Sequence, residues 1–189
     1  MNTEILMEPE IFPERRLKLF SLYVDFAAAV RARWATNQIS RLAGEHWKCL
    51  SGMWNLDSLV AGGPIRKMIA QDAADADILL IAMSSLDRRE PALVEWLDSL
   101  AEAKANRPVS GLFIGLLGDE EHLAKELDWT VKHFLRCAQR TDRDFIWHWM
   151  EQGVMEDGDW LVESVEALLA RKQFPRDAVF VSAGALGMA

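Results

Sequence analysis

The sequence predicts an α/β protein built as a three-layer, doubly wound sheet of five mostly parallel strands in the order 2-1-3-4-5. Two observations lead to this prediction. Short apolar runs alternate five times with helical apolar stripes between about residues 17 and 150. The central runs are continuously apolar rather than alternating, which indicates strands buried on both faces, as in a parallel sheet.

The five strands are predicted from apolar runs bounded by polar or turn residues. The run from Asp77 to Met83 is the clearest, whereas the second run is interrupted by Ser51 and Gly52. The predicted strands cover residues 17–24, 46–52, 77–83, 109–117 and 145–150.

The helices between the strands are predicted from apolar residues spaced by three and four positions. The first helix has such a stripe from Ala28 to Leu42, and Gly44 ends it. Pro64 lies near the start of the second helix, where its missing N–H costs nothing. We therefore expect a loose lead-in at 1–16, an α/β domain at 17–150, and a C-terminal helix and tail at 151–189 packed on that domain.

Charge and composition restrict the partners. The formal net charge is -8 and no run of Lys and Arg interrupts it, so the surface should repel phosphate backbones and anionic membranes. We expect neither nucleic acid nor membrane as a partner. Cys49 and Cys137 lie inside apolar runs and read as small buried hydrophobic residues, without a disulfide framework. With no secretory pattern and no apolar run near the ~20 residues of a membrane span, we expect a cytoplasmic protein.

A candidate ligand site follows from the predicted topology. Doubly wound folds bind ligands outside the carboxyl ends of the strands, where the winding reverses. Asp25 follows the first strand there, and Ser84, Ser85 and Asp87 follow the third. Two carboxylates and two hydroxyls favour a cation or a donor-rich polar molecule over a phosphate. The alternative is structural: Asp25 caps the first helix and the serines merely end a strand.

Cofactor motifs are missing from this crevice. A flavin mononucleotide site needs Gly N–H groups and hydroxyls around the phosphate ahead of a helix, and the segment Asp25-Phe26-Ala27-Ala28-Ala29 has neither. There is no GxGxxG, and Gly62-Gly63-Pro64 reads as a turn. His122 and His133 are ~16 Å apart on one helix at ~1.5 Å per residue, too far to share a metal ion. We expect no cofactor and no metal.

Phosphorelay receivers share the predicted layout, so we compare the residues at the strand ends of this chain with those that a receiver needs. The receiver family needs an acidic pair at the first strand, an Asp ending the third, a hydroxyl ending the fourth and a Lys ending the fifth. Here Asp25 is a lone acid, Ser84 ends the third strand, Gly118 ends the fourth and His148 lies on the fifth. Phosphorylation of this chain is therefore not expected.

Four segments carry a resemblance to a known group of proteins: YVDFAAAVRA (23–32), MWNLDSL (53–59), ADILLIAMS (76–84) and REPALVEWLDSL (89–100). Together they resemble a bacterial family of flavodoxin-like or receiver-like build. The resemblance covers roughly residues 17–150. It implies the flavodoxin-like fold and a bacterial source, and it implies no activity.

Two tryptophans are predicted to face outward. Trp129 lies about 200° around its helix from Leu127, and Trp34 leaves the apolar stripe of its own helix. Exposed tryptophan is enriched at interfaces, so both are candidates for a partner or homodimer contact. The alternative is that the lead-in or the C-terminal helix covers them.

The leading functional hypothesis from these observations is a non-enzymatic bacterial regulatory or protein-interaction module, receiver-like but not phosphorylated. The alternative is a binder of, or an enzyme for, a small polar molecule held in the crevice.

Overall fold

One five-stranded parallel sheet organises the chain. The computed structural model describes residues 15–60, 63–84, 90–104, 110–118, 123–150 and 158–173. Its strands lie in the order β2-β1-β3-β4-β5, and every neighbouring pair is parallel. The predicted flavodoxin-like architecture and strand order are therefore confirmed. The strands are β1 (Arg15–Tyr23), β2 (Trp47–Asn55), β3 (Ile78–Met83), β4 (Gly111–Gly118) and β5 (Arg143–Met150).

Helices cover both faces of this sheet. They are α1 (Phe26–Ala43), α2 (Asp57–Val60), α3 (Gly63–Ala74), α4 (Glu90–Lys104), α5 (Leu123–Arg140) and α6 (Asp159–Gln173). One apolar core lies between the sheet and α1 with α6, and the other between the sheet and α3, α4 and α5. The central strands β3 and β4 are buried at every residue, which is why their sequences are continuously apolar.

The strand bounds differ from the predicted ones mainly at the sheet edge. Strand β1 begins at Arg15 because Arg15 and Arg16 pair with Trp47 and Lys48 of β2, so pairing extends into the predicted lead-in. Strand β2 continues past Gly52 to Asn55, which pairs with Tyr23. Apolar patterning does not report these positions, since β2 has one strand neighbour and is half exposed.

Asp77 ties three elements together at the amino-terminal edge of the sheet. Its carboxylate is buried, accepts a hydrogen bond of 2.8 Å from the backbone N–H of Lys18, and lies 2.5 Å from Nζ of Lys172 at the end of α6. This carboxylate therefore links β1 to α6 just before β3 begins.

Arg143 closes the end of α3 at the same edge. Its Nη2 donates hydrogen bonds of 2.9 Å to the carbonyls of Ala73 and Ala76, and the carbonyl of Ala73 also accepts from the N–H of Ala76 at 3.4 Å. Burial lowers the pKa of Arg143 to about 10, while Cys137 and Asp77 act in the opposite direction. The guanidinium remains protonated at neutral pH, so the amino-terminal edge is held by buried charged groups with structural roles.

No helix in the described parts of the chain is long and apolar enough to cross a membrane.

Candidate functional site

The winding of the sheet reverses between β1 and β3. The two strands are direct neighbours, and the N–H of Val24 still donates to the carbonyl of Ala82 at 3.2 Å. Beyond this bond the chain after β1 turns into α1 on one face, while the helices that follow β2 and β3 cover the other face. Asp25 and Ser84 stand at this divergence, where folds of this type hold their ligands.

Asp25 caps α1 with its side chain. Its Oδ1 accepts a hydrogen bond of 2.8 Å from the N–H of Ala28, as the structural alternative for this residue predicted. The hydroxyl of Ser84 donates to the same oxygen at 3.2 Å. The structure thus brings together two of the predicted site residues, 59 positions apart in the sequence.

Arg31 completes this network, and sequence reasoning did not find it. Its side chain reaches from the second turn of α1 across the ends of β3 and β4, and the residue is only 8% exposed. Its Nη2 donates to the carbonyl of Met83 at 3.2 Å and to the hydroxyl of Ser84. A buried cation is costly without acceptors, so these bonds and the nearby Asp25 carboxylate offset its desolvation.

Gly118 provides the space for that guanidinium at the end of β4. A β-carbon at this position would overlap the guanidinium atoms of Arg31. The only sequence signal for the arrangement is a glycine that ends a buried apolar strand, which by itself does not indicate a buried arginine.

The rim of the crevice carries an unusually exposed aromatic side chain. Phe26, the residue after Asp25, is 85% exposed at the first position of α1. Val30, one turn further along the same helix, is also exposed. On the other side of β1, the side chain of Asn55 accepts a hydrogen bond of 2.7 Å from the N–H of Asp57 and so closes the end of β2. The crevice therefore combines a polar floor with an apolar lip.

The other predicted ligand residues, Ser85 and Asp87, lie outside the described residues. A ligand role for Asp25, Ser84, Ser85 and Asp87 stays a prediction.

Trp34 does not face outward as the helical pattern predicted. It is 8% exposed and belongs to the core under α1, and its ring stacks on that of Trp160 at 6.5 Å between centroids. The structure matches the alternative, in which the C-terminal helix covers this residue, because α1 is buried on two sides, by the sheet and by α6. An interface role for Trp34 thus lacks an accessible ring.

Trp129 is partly buried. Its ring lies 3.8 Å from that of His133, centroid to centroid, and packs against the core on the α3, α4 and α5 side. Its proposed part in an interface stays a prediction. Among the described residues, no group of three His, Cys, Asp or Glu side chains is arranged to hold a metal ion.

Comparison with known proteins identifies the fold. No family model matches the chain, and no curated protein matches it in sequence. The fold, in contrast, is similar to that of several solved structures. A short-chain flavodoxin associated with a non-canonical PDU bacterial microcompartment has a TM-score of 0.53 at 12% identity, over 82% of this chain and 99% of that chain.

Two oxidoreductases give similar values. An oxidoreductase from Corynebacterium diphtheriae has a TM-score of 0.53 at 11% identity, over 84% of this chain and 93% of that chain. The apo form of an NADH:FMN oxidoreductase, EMOB, has a TM-score of 0.52 at 16% identity, over 83% of this chain and 89% of that chain. At such identities the likeness establishes a flavodoxin-like fold.

These neighbours correct the leading functional hypothesis. The non-enzymatic, receiver-like regulatory module expected from the sequence is wrong, because the structural neighbours are a flavodoxin and oxidoreductases. The sequence argument relied on missing motifs, and a missing motif does not distinguish one use of this fold from another.

The fold raises the question of whether flavin mononucleotide fits. Its phosphate would need free N–H and hydroxyl donors at the start of α1. Here the N–H of Ala28 and the hydroxyl of Ser84 are both bonded to the carboxylate of Asp25. A phosphate at this place would meet that carboxylate at close range, so the described residues of the crevice do not fit the phosphate group.

Proposed function

We propose that this chain is a redox protein that holds a flavin-type heterocycle by its ring at the carboxyl edge of the sheet, without a phosphate cradle. The observation that carries the proposal is the network of Asp25, Ser84 and Arg31 at the winding reversal. The fold supports it, since a flavodoxin and an NADH:FMN oxidoreductase share this architecture.

Asp25 is suited to accept a hydrogen bond from such a ring. The bonds from Ala28 and Ser84 both go to Oδ1, and the residue is partly exposed, so the proposal assigns Oδ2 to the donor of the ring. The flavin ring carries one N–H between two carbonyls. A bond from that N–H to a carboxylate is charge-assisted, worth about 1.5–3 kcal/mol.

Phe26 supplies the apolar contact. Its exposed ring stands beside Asp25, and an offset stack with a planar heterocycle would contribute about 0.5–1.5 kcal/mol beyond the area it buries. The ligand class is thus a neutral, planar heterocycle with an N–H donor, such as a flavin that lacks its phosphate.

The first test is a titration of the protein with riboflavin and, separately, with flavin mononucleotide, followed by flavin fluorescence. We expect riboflavin to bind more tightly, because only the phosphorylated flavin brings its charge towards Asp25. Phe26→Ala should weaken riboflavin binding by about tenfold. The control, Leu135→Ala at an exposed apolar residue of α5, should leave it unchanged.

The second test changes the charge of Asp25 and keeps the helix cap. In Asp25→Asn the amide oxygen can still accept from Ala28, since Asn caps helices about as well as Asp. We expect flavin mononucleotide to bind the variant more tightly than the wild type. The reduction potential of bound riboflavin should be lower in the wild type than in Asp25→Asn. A carboxylate beside the ring opposes the negative charge that reduction adds to the flavin. Equal binding of both flavins by the wild type, or binding of neither, would refute the proposal.

A further inference from the structure

Strand β5 is an edge strand of the described sheet. It pairs with β4 on one side, and no other described strand lies beside it. A strand in this position offers a row of backbone N–H and C=O groups to another chain, which proteins usually prevent with charged residues, prolines or short strands. Charged residues and prolines are absent from Phe145 to Met150, which contains no Asp, Glu, Lys, Arg or Pro.

The aromatic side chains of β5 lie on one face of this strand. Phe145, Trp147 and Trp149 alternate with the residues of the other face, as the pleat requires. Phe145 and Trp149 pack partly against the core, with Phe145 set edge-on to Phe113 at 5.6 Å between centroids. Trp147 between them is 43% exposed. The edge therefore presents a large apolar ring beside the backbone of the strand.

The opposite edge of the sheet is different. Strand β2 exposes Lys48 and Ser51, and its centre is weakened as a strand by Gly52. The two edges of the sheet thus differ in charge: the exposed Leu50 of β2 lies between Lys48 and Ser51, whereas residues 145–150 of β5 include no Asp, Glu, Lys or Arg.

The sequence of β5 is complementary to itself. In an antiparallel pair of two β5 strands with the two-fold axis at Trp147, Phe145 of each copy faces Trp149 of the other, and the two Trp147 residues face each other. Aromatic cross-strand pairs are among the favourable ones in antiparallel sheets. On the other face Ile146 meets His148, so no like charges oppose each other.

We infer that two copies of this chain associate through β5 and join their five-stranded sheets into one continuous sheet. The contact is isologous, as in most symmetric dimers. A strand pair of this length is a small interface, for which weak association is typical. The net charge of -8 on each copy opposes association, so added salt should strengthen the dimer.

The test is sedimentation equilibrium of the full chain from low to high micromolar concentration. We expect the mass to rise from that of the 21.4 kDa monomer towards twice that value. Trp147→Lys should weaken association by about tenfold or more, because it removes the central aromatic pair and sets two lysines opposite each other. The control Leu50→Lys, at an exposed apolar residue of the other edge strand, should leave association unchanged.

A cross-linking variant tests the register and does not depend on tolerance of a lysine. Directly opposed residues in antiparallel strands have Cα atoms about 4.5–5.5 Å apart, within the range that a disulfide spans. In a Cys49→Ser background, Trp147→Cys should give a covalent dimer on mild oxidation, and Leu50→Cys should not. A monomer at all concentrations would overturn the inference, as would a dimer that Trp147→Lys leaves intact and that Trp147→Cys fails to cross-link.

Discussion

The guanidinium of Arg31 occupies the space beside Gly118 that a β-carbon would fill. This relationship joins the second turn of α1 to the end of β4, two elements that are far apart in the sequence. Because the same guanidinium bonds to Ser84, a larger residue at position 118 would also disturb the hydrogen bonds in the crevice. A glycine in a buried strand and a charged residue in a helix thus form one structural unit.

We expect Gly118→Ala to displace the guanidinium and to lower the free energy of unfolding by about 1–3 kcal/mol, the usual cost of overpacking. The control is Gly52→Ala in β2, where an added β-carbon would make only an ordinary contact of 3.7 Å with Nε1 of Trp54. Urea unfolding of both variants gives the comparison. Equal stability of Gly118→Ala and the wild type would show that Arg31 moves aside at no cost.

The double variant Gly118→Ala with Arg31→Met separates overpacking from the loss of the hydrogen bonds. If the two residues act as one unit, the losses in free energy of unfolding of the two single variants should not add. Once Arg31 is replaced by Met, the β-carbon added at position 118 no longer collides with a guanidinium. Additive free energies would indicate two independent sites.

Strand order and the place of the crevice could be predicted because both follow from local patterns. Continuous apolar runs indicate central strands, and the carboxyl ends of β1 and β3 must meet where the winding reverses. Asp25 and Ser84 follow those strands directly, so topology alone predicts that they approach each other.

Arg31 could not be predicted in the same way. The sequence pattern of α1 does not distinguish it from Arg33 and Arg41 of the same helix, which are exposed. Its burial depends on Ser84 and Gly118, contributed by two other strands, and periodicity within one helix carries no information on such pairs. The sequence left two alternatives for Trp34 for a related reason: a helical wheel shows one buried stripe and cannot decide whether α6 covers a second.

Arg143 should be important for stability at the amino-terminal edge of the sheet. Arg143→Met removes the donor to the carbonyl of Ala76 and one of two donors to that of Ala73, so we expect a loss of about 1–3 kcal/mol in urea unfolding. Arg140→Ala is the control, since Arg140 pairs with Asp98 at the surface and such pairs contribute about 0–1 kcal/mol.

The effect of Arg143→Met should not depend on pH from about pH 6 to about pH 9, because Arg143 is protonated in both the folded and the unfolded chain there. Because burial lowers the pKa of Arg143 to about 10 in the folded protein, the unfolded chain binds more protons above that range. The contribution of Arg143 to stability should therefore rise with pH only above about pH 10. If the difference in free energy of unfolding between the wild type and Arg143→Met changed near neutral pH, another titrating group would be responsible.

Trp160 links α6 to both α1 and β5, and its replacement tests what holds the C-terminal helix. Its ring stacks on Trp34 at 6.5 Å and, nearly parallel, on His148 at 4.5 Å between centroids. Its indole N–H is buried and has no acceptor among the described residues.

We therefore expect Trp160→Phe, which keeps a ring and removes that N–H, to change the free energy of unfolding by less than about 1.5 kcal/mol. Trp160→Ala should cost about 3 kcal/mol or more and shift the emission of Trp34 to longer wavelength, as its ring meets water. Equal losses in the two variants would show that the indole N–H has a partner after all, and unchanged Trp34 emission in Trp160→Ala would show that α1 is covered without Trp160.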